Sequence, residues 1–297
     1  MININLIILF LCTFFLSVFG SIQYRKFAIK NNIIANINFR TLHEKPTPRG
    51  GGIIFSSVFI ISVIILYLNN EINFNLLLVF SLGAFFAATV GYIDDLIGIK
   101  APIKLLLQIL MSLWLIYCFD GGLLNMIDLL NGWPSWFISL FLLTWLINTY
   151  NFIDGIDGMA ISGAILILCT LSLTLIISNN ITNLLILFLT LLSSCLGFLF
   201  FNWPKATIFM GDSGSIFLGY IFGALIIYST MTGEVHFFTW LIVFGYYLAD
   251  TTTTTLIRIL TVKNWYHSHR SHAYQNLARV LNSHFKITIG VFIYHLF

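Results

Sequence analysis

Long apolar runs alternate with short polar connections along almost the whole chain. Ten runs can be counted, at residues 2–19, 52–68, 76–93, 103–119, 136–147, 159–177, 181–201, 215–231, 237–257 and 287–297. A helix needs about 20 mostly apolar residues to cross a bilayer, so the shorter runs must include flanking polar residues. The pattern predicts an all-α, polytopic membrane protein with about ten transmembrane helices in a single domain, residues 1–297. The final run has only eleven residues, so we expect the chain to end either inside an incomplete tenth helix or with an unusually short one.

Composition supports the same class. The chain is 59% hydrophobic and 8% charged, with a mean hydropathy of +0.95, whereas soluble domains carry about 25% charged residues. No basic residue precedes the first run, as one would in a secretory signal peptide, so this run is predicted to be a retained helix. The four cysteines lie in or beside apolar runs without a CxxC spacing, which favours a packing role.

The basic residues are confined to alternate connections. Of the fourteen, six lie between the first and second runs, two follow the third, one follows the seventh and five follow the ninth. Cytoplasmic loops of membrane proteins are enriched in lysine and arginine. The distribution therefore predicts an N-terminus outside the cell, and it places every unusual polar cluster at the cytoplasmic helix ends.

The most distinctive polar stretch is NTYNFIDGIDG, which separates the fifth and sixth runs. Asn148, Asn151, Asp154 and Asp157 are spaced by three residues, and on a continuing helix the first three share one face. The glycines that follow each aspartate loosen the backbone, so Asp157 need not follow the helix. Such a group of oxygens suits a hard cation or a polar ligand. The alternative is an ordinary Asp-Gly turn in which Asp157 caps the next helix.

Further carboxylates lie at the ends of apolar runs, where charged groups are costly and usually mark function. Asp94 and Asp95 are adjacent and repel each other, so we expect a cation nearby, either a bound ion or a lysine such as Lys100. Asp212, in FMGDSGS, is a candidate site residue that alternatively caps the eighth run. Asp250 precedes five threonines and is interpreted as a helix residue bonded to neighbouring hydroxyls.

The first basic connection contains KPTPRGGG, with Lys45 and Arg49 beside three glycines. Backbone N–H groups of such a loop can surround a phosphate. The spacing is not that of a nucleotide-binding P-loop, so this stretch alone does not indicate a nucleotide. The alternative is a loop that lies against the membrane and attracts anionic lipid.

The last basic connection contains HSHRSHAYQ. Its candidate residues are His267, His269, Arg270 and His272. Histidines at this spacing suit a transition metal. Alternatively, they and the arginine donate hydrogen bonds to an anionic substrate.

Taken in order, the motifs TPRGGG, GYIDD, NxxNxxDGxDG, FMGDSGS and HxHRSHAYQ resemble those of the polyprenyl-phosphate N-acetylhexosamine-1-phosphate transferases. This superfamily includes the bacterial phospho-MurNAc-pentapeptide translocase and the enzymes that start O-antigen and related glycans. The resemblance extends over residues 40–275, nearly the whole chain. It implies a reaction in which a polyprenyl phosphate attacks the β-phosphate of a UDP-sugar, and UMP leaves.

The resemblance also implies roles for the candidate residues. Asn151 and Asp212 would bind Mg²⁺, or Mn²⁺ in its place. Asp94 and Asp95 would face the lipid phosphate or the metal, where we favour electrostatic positioning over general-base catalysis. Lys45, Asp154 and Asp157 would help to hold the nucleotide, and His267, His269, Arg270 and His272 would close over the diphosphate and sugar. Arg49 and Asn148 would also bind substrate. The implied catalytic residues are Asp94, Asp95, Asp154, Asp157 and Asp212.

One position departs from the family pattern. Many relatives carry a third acidic residue four positions after Asp94, and this chain has Gly98 there. Its separated histidines resemble the branch that starts O-antigen or capsule-type glycans, because peptidoglycan translocases typically have consecutive ones. This implies a UDP-N-acetylhexosamine without peptide as donor, with the pentapeptide donor as the alternative. Expected partners are this donor, undecaprenyl phosphate and the bacterial inner membrane, with no nucleic acid and with a homodimer left open.

A different functional class is an ion-coupled transporter, which also uses carboxylates within membrane helices. That class would place the carboxylates near mid-membrane, in interrupted helices of two corresponding halves. Here they cluster at one side, and no repeat is evident. A non-catalytic membrane scaffold is the third option, but it would not need so many charged groups at helix ends.

Overall fold

The structure is a computed structural model, and it describes residues 4–35, 46–121, 132–263 and 271–296. Helices make up nearly all of it. They are α1 (Ile4–Lys30), α2 (Gly52–Leu68), α3 (Phe74–Leu77), which continues through a π-helical segment (Leu78–Gly83) into α4 (Ala84–Ile97), α5 (Ala101–Cys118), α6 (Trp133–Ile153), α7 (Met159–Ile177), α8 (Asn183–Asn202), α9 (Asp212–Thr232), α10 (Phe237–Val243), α11 (Gly245–Thr261), α12 (Ala273–Leu281) and α13 (His284–Leu296).

Every predicted apolar run is mainly helical where the structure describes it. Within those residues, seven helices are long and apolar enough to cross a membrane: α1, the continuous α3–α4 unit, and α5 to α9. α2 and α13 are apolar but shorter, and the ninth run is divided at Phe244 into α10 and α11. The all-α polytopic class is therefore correct, and α12 is an additional short helix that the apolar pattern did not predict.

Two local features differ from the predicted pattern. α1 continues to Lys30, eleven residues beyond the predicted apolar run, because backbone hydrogen bonds extend a helix regardless of side-chain polarity. A short antiparallel ribbon pairs β1 (Ile34–Ala35) with β2 (Thr47–Pro48). β2 supplies the first two residues of the TPRGGG stretch, whose last residue, Gly52, begins α2.

α9 is the central helix. In its most apolar 18-residue stretch, 89% of the residues are buried, compared with 22% in the corresponding stretch of the peripheral α1. Neighbouring helices approach it closely at glycines: a Cβ added to Gly219 would lie 2.7 Å from Cα of Ile147 in α6. Because α9 begins at Asp212, the packing of α2, α4 and α6 around it brings their ends to this carboxylate.

Candidate active site

The TPRGGG and FMGDSGS motifs are joined through their backbones. The Phe209 N–H donates to the carbonyl of Pro48 (2.7 Å), and the Gly51 and Gly52 N–H groups donate to the carbonyls of Phe209 (2.9 Å) and Met210 (2.8 Å). The predicted phosphate cradle is therefore wrong for these two glycine N–H groups, since protein carbonyls already accept from them. The glycines serve close packing instead, because a Cβ on Gly52 would lie 2.1 Å from the nitrogen of Gly214.

Asp95 caps α9 from another helix. Its carboxylate oxygens accept from the N–H groups of Asp212 (3.1 Å) and Ser213 (3.0 Å), and Arg49 binds the same carboxylate at 3.2 Å. The first N–H groups of a helix have no partner within the helix and favour negative charge, so this arrangement stabilises the α9 terminus. Gly211 has φ +71°, and a Cβ there would lie 2.5 Å from the Asp95 carboxylate. Asp95 thereby fixes the position of Asp212.

Lys104 lies between two of the candidate carboxylates. Its ammonium group is 2.7 Å from Oδ2 of Asp94 and forms a second, close ion pair with Asp212. The expected cation beside the aspartate pair is thus supplied by Lys104 and Arg49, not by Lys100. The sequence did not identify Lys104 as a site residue. Its position in the first turn of α5, the helix that follows the Asp-Asp motif, was an available signal.

The alternative in which Asp212 caps its own helix is wrong. Asp212 is the first residue of α9, and the preceding Gly211 is the cap residue, without a side-chain hydrogen bond. The Asp212 carboxylate is thus directed to Lys104 and is not used by the helix terminus.

The two asparagines of the central motif lie on one face of α6 and contact different neighbouring helices. Nδ2 of Asn148 donates to the Thr144 carbonyl (3.0 Å) and to Oε1 of Gln108 (2.7 Å), whereas Nδ2 of Asn151 donates to Oγ of Ser215 (2.9 Å). Since both amide nitrogens face protein acceptors, each side chain offers its oxygen to a ligand. Asn148 is held by α5 and Asn151 by α9, so one face of α6 contacts both helices.

Asp154 directly follows α6 and is partly exposed. Desolvation raises the pKa of its carboxyl well above the usual range, and the negative charges of Asp212 and Asp95 raise it further. A cation or a hydrogen-bond donor from a ligand would stabilise the ionised form. The surroundings of Asp154 therefore favour a positively charged partner.

Asp157 lies off the helix, as the glycine pattern allowed, and joins three segments. Its Oδ2 accepts from the Ala206 N–H (3.1 Å), its Oδ1 is 3.3 Å from Nδ1 of His284, and its carbonyl accepts from Thr288 (3.0 Å). The alternative in which Asp157 caps the next helix is wrong, because α7 follows Gly158 without a side-chain cap. His284 was missed, since an isolated histidine carries no signal in the sequence.

Asp250 is a helix residue in α11, as interpreted, and its backbone carbonyl accepts from the Thr253 hydroxyl (3.4 Å), but its carboxylate has other partners. Its carboxylate accepts from the Ala273 N–H (2.7 Å) and lies 3.2 Å from Nδ1 of His272. The neighbouring Thr251 hydroxyl donates to the Tyr247 carbonyl instead. His272 is thus the described member of the histidine motif. The other predicted binding residues Lys45, His267, His269 and Arg270 lie outside the described residues.

The predicted Mg²⁺ needs oxygen ligands from the site residues. Among the described residues, no three His, Cys, Asp or Glu side chains form a group that holds a metal ion. Mg²⁺ commonly uses one or two carboxylates together with waters and substrate phosphates, so it does not need such a group. The oxygens of Asp212, Asp154 and Asn151 are of the type that Mg²⁺ prefers, and the donor set fits this ion with substrate as a further ligand.

The fold and site define a polytopic helical membrane protein with an acidic and basic cluster at adjoining helix ends. A family model described as glycosyl transferase family 4 matches residues 77–230. The chain belongs to this family, which contains the polyprenyl-phosphate sugar-phosphate transferases that the motifs resemble.

Curated relatives agree with the family but differ in their named substrates. A phospho-N-acetylmuramoyl-pentapeptide-transferase from Prochlorococcus marinus is 32% identical, with 74% of this chain and 62% of the relative aligned. A probable undecaprenyl-phosphate N-acetylglucosaminyl 1-phosphate transferase from Bacillus subtilis is 28% identical, with 88% and 74% aligned. A Listeria monocytogenes pentapeptide-transferase is 30% identical, with 71% of each chain aligned. The chain thus spans about three-fifths to three-quarters of these relatives' lengths.

Proposed function

We propose that this protein transfers N-acetylhexosamine-1-phosphate from a UDP-sugar to undecaprenyl phosphate in the bacterial inner membrane, as the first step of a lipid-linked glycan such as O-antigen or capsule. The observation that supports this most is the joint placement of Asp94, Asp154 and Asp212 with Lys104 and Arg49 where four helices end. A lipid headgroup and a soluble nucleotide can both reach such a place. A transporter would instead hold its carboxylates near mid-membrane.

The reaction joins two anions, so charge neutralisation and positioning are its main requirements. An oxygen of the lipid phosphate attacks the β-phosphorus, the bond from that phosphorus to the bridging oxygen breaks, and UMP carries that oxygen away. A phosphate monoester has its second pKa near about 6, so the nucleophile needs no general base at neutral pH. Asp95 suits a positioning role, since its carboxylate is already bound by Arg49 and two backbone N–H groups.

We assign a phosphate-binding role to Lys104. Its ammonium group sits between Asp94 and Asp212, so it can turn toward an incoming phosphate without leaving the site. Arg49 pairs with Asp95, has a side chain that is 37% exposed, and can reach a ligand from solvent. Each of the two cations thus pairs with one member of the Asp pair, and together they would reduce the repulsion between the two substrates.

Asp212 and Asn151 would hold Mg²⁺, with Mn²⁺ as a substitute, and the ion would neutralise diphosphate charge when bound. We expect Asp212→Asn to lose nearly all turnover while the protein still inserts and folds. Transferase activity should be abolished by excess EDTA and restored by Mg²⁺. Full activity in EDTA, or a wild-type rate for Asp212→Asn, would contradict this assignment.

The decisive assay offers purified protein undecaprenyl phosphate with radiolabelled UDP-N-acetylglucosamine, its 6-deoxy relatives UDP-N-acetylfucosamine and UDP-N-acetylquinovosamine, or UDP-MurNAc-pentapeptide. We expect label from a peptide-free donor to enter organic-extractable lipid, with release of UMP. The pentapeptide donor remains the second candidate, because the relatives from P. marinus and L. monocytogenes carry that activity in their names. Preferred use of the pentapeptide donor refutes the sugar assignment, and failure with every donor refutes the transferase.

The orientation of the protein is part of the proposal. The connections α1–α2, α4–α5 and α8–α9 meet at the site and hold basic residues, which supports a cytoplasmic position of the site. Single cysteines at Asn69 and Ser178 should react with an impermeant thiol reagent in intact cells. Cysteines at Lys100 and Lys263 should react only after the membrane is opened. External labelling at Lys263 would overturn this orientation.

A further inference from the structure

A tyrosine from α12 caps the end of α6. The Tyr274 hydroxyl donates to the carbonyl of Phe152 at 2.5 Å, and the Tyr274 side chain is completely buried. α6 ends at Ile153, so the Phe152 carbonyl belongs to the last turn, whose carbonyls have no partner further along the helix. Desolvation raises the pKa of Tyr274 well above its usual range, so the phenol remains protonated as a donor. The hydroxyl therefore satisfies a carbonyl immediately before Asp154.

The residue after Asp154 is shaped by the same contact. A Cβ on Gly155 would lie 2.2 Å from the Tyr274 hydroxyl oxygen and 2.6 Å from Nε2 of Gln275. Only glycine leaves room for α12 to approach this closely. The first turn of α12 consequently contacts the chain on both sides of Asp154.

Asp250 holds the first turn of α12 in place. Its carboxylate accepts from the Ala273 N–H at 2.7 Å and is 3.2 Å from Nδ1 of His272. The side chains of His272 and Asp250 are only 3% and 6% exposed, so the pair is shielded from water. The His272 ring also lies between aromatic neighbours, 5.7 Å from the ring centroids of both Phe152 and Tyr274.

α11, which carries Asp250, is itself bonded to α6. The hydroxyls of Thr149 and Thr251 are 3.2 Å apart, and the indole N–H of Trp145 donates to Thr252 at 3.1 Å. Contacts from α6 to α11, from α11 to α12, and from α12 back to α6 thus form a closed loop. The contact from α12 to α6 lies in the segment that carries Asp154.

We propose that Asp250, His272 and Tyr274 are positioning residues that place Asp154 for the reaction, and that His272 acts through this contact and is not a ligand of the sugar diphosphate. The inference rests on the proposed function, because it gives Asp154 a part in the transfer. It corrects the role that the histidine motif suggested for His272. In the Ser-His-Ala-Tyr-Gln stretch at residues 271–275, His272, Ala273 and Tyr274 supply contacts between protein segments.

Tyr274→Phe is the sharpest test, since it removes one hydroxyl and keeps the ring. We expect kcat to fall at least about tenfold with little change in KM for the UDP-sugar, because Asp154 shifts while the binding groups remain. Hydrogen exchange of the backbone amides at residues 154–158 should become faster. Tyr117→Phe is the matched control: Tyr117 is 77% exposed at the far end of α5, and its variant should change neither readout.

Substitutions of the pair separate positioning from ligand binding. Asp250→Asn keeps an acceptor for the Ala273 N–H and should retain most activity, whereas Asp250→Ala should resemble Tyr274→Phe. The double variant of Asp250→Ala and Tyr274→Phe should be no worse than the more impaired single variant, since both act on one contact. A rise in KM for His272→Ala, with wild-type kinetics for Tyr274→Phe, would show that His272 is a substrate ligand and overturn the proposal.

Hydrogen exchange keeps this test separate from that of the proposed function. If the wild-type protein transfers no sugar phosphate, the transferase assignment fails, and the exchange rates at residues 154–158 still report on positioning. Unchanged exchange in both Tyr274→Phe and Asp250→Ala would overturn the inference whatever the activity. Thermal unfolding identifies any variant that does not fold. If Asp250→Ala fails to fold, hydrogen exchange and kinetics are compared between Asp250→Asn and Tyr274→Phe.

Discussion

Replacing Gly52 with alanine tests how closely α2 must approach the start of α9. Gly52 is the first residue of α2 and is buried. An added Cβ would lie 2.1 Å from the nitrogen of Gly214 and 2.3 Å from its Cα, both backbone atoms that cannot rotate away. Nonbonded carbons prefer a separation of about 3.5 Å, so the two helices must part by about 1 Å.

That displacement acts on the site directly. Gly214 is two residues from Asp212, and the N–H groups of Asp212 and Ser213 bind Asp95 at the same helix terminus. Overpacking of a well-packed interior costs about 1–3 kcal/mol of stability. A shift of about 1 Å in a reacting group costs about 100-fold in rate. We therefore expect Gly52→Ala to lose about 100-fold in turnover and about 1–3 kcal/mol in the free energy of unfolding.

The measurement combines transfer of labelled sugar phosphate with thermal unfolding in detergent. Gly245→Ala is the matched control, because Gly245 lies in α11 and a Cβ there would meet nothing within 4 Å. The control should keep wild-type turnover and stability. Wild-type turnover and stability in Gly52→Ala would refute the close approach of α2 and α9, as would an equal loss in both variants.

Two further substitutions test side-chain contacts that the sequence did not identify. Lys104→Met leaves Asp94 and Asp212 facing each other without their shared cation, so turnover should fall at least about 100-fold. Lys104→Arg keeps the charge and should retain part of the turnover. Equal turnover in the Met and Arg variants would exclude a role for the charge. His284→Ala removes a partner of Asp157 and should lower the free energy of unfolding by about 1 kcal/mol, whereas His284→Asn, which keeps a hydrogen-bonding group near the position of Nδ1, should lose less. Identical stability of all three proteins would show that this contact contributes nothing.

The sequence by itself determined the fold class and the place of most helices. In a bilayer, each backbone polar group must be satisfied within the protein, so a long apolar run has few alternatives to helix. The boundary between an apolar run and a polar motif also indicated Asp94, Asp154 and Asp212 as candidate residues. These are local properties of the chain, and the structure brings the three carboxylates to one place.

Partners of those carboxylates were decided only by the tertiary structure. Lys104 and Asp212 are 108 positions apart, and Tyr274 and Phe152 are 122 apart. Lys100 and Lys104 are both close to the Asp pair in sequence, and only the direction of α5 selects Lys104. Helix direction and packing thus choose among residues that the sequence presents as equivalent.

The glycine motifs show the same division. Their presence indicated close approach of the backbone, but a phosphate and a neighbouring helix make the same demand for a residue without Cβ. At Gly52, the space that a Cβ would need is occupied by the backbone of α9. At Gly155, it is occupied by the Tyr274 side chain of α12. Sequence determined where side chains had to be small or charged, because those needs are local. Several of their contacts depended on segments more than 100 residues away, as for Lys104 with Asp212 and Tyr274 with Phe152, which only the folded chain brings together.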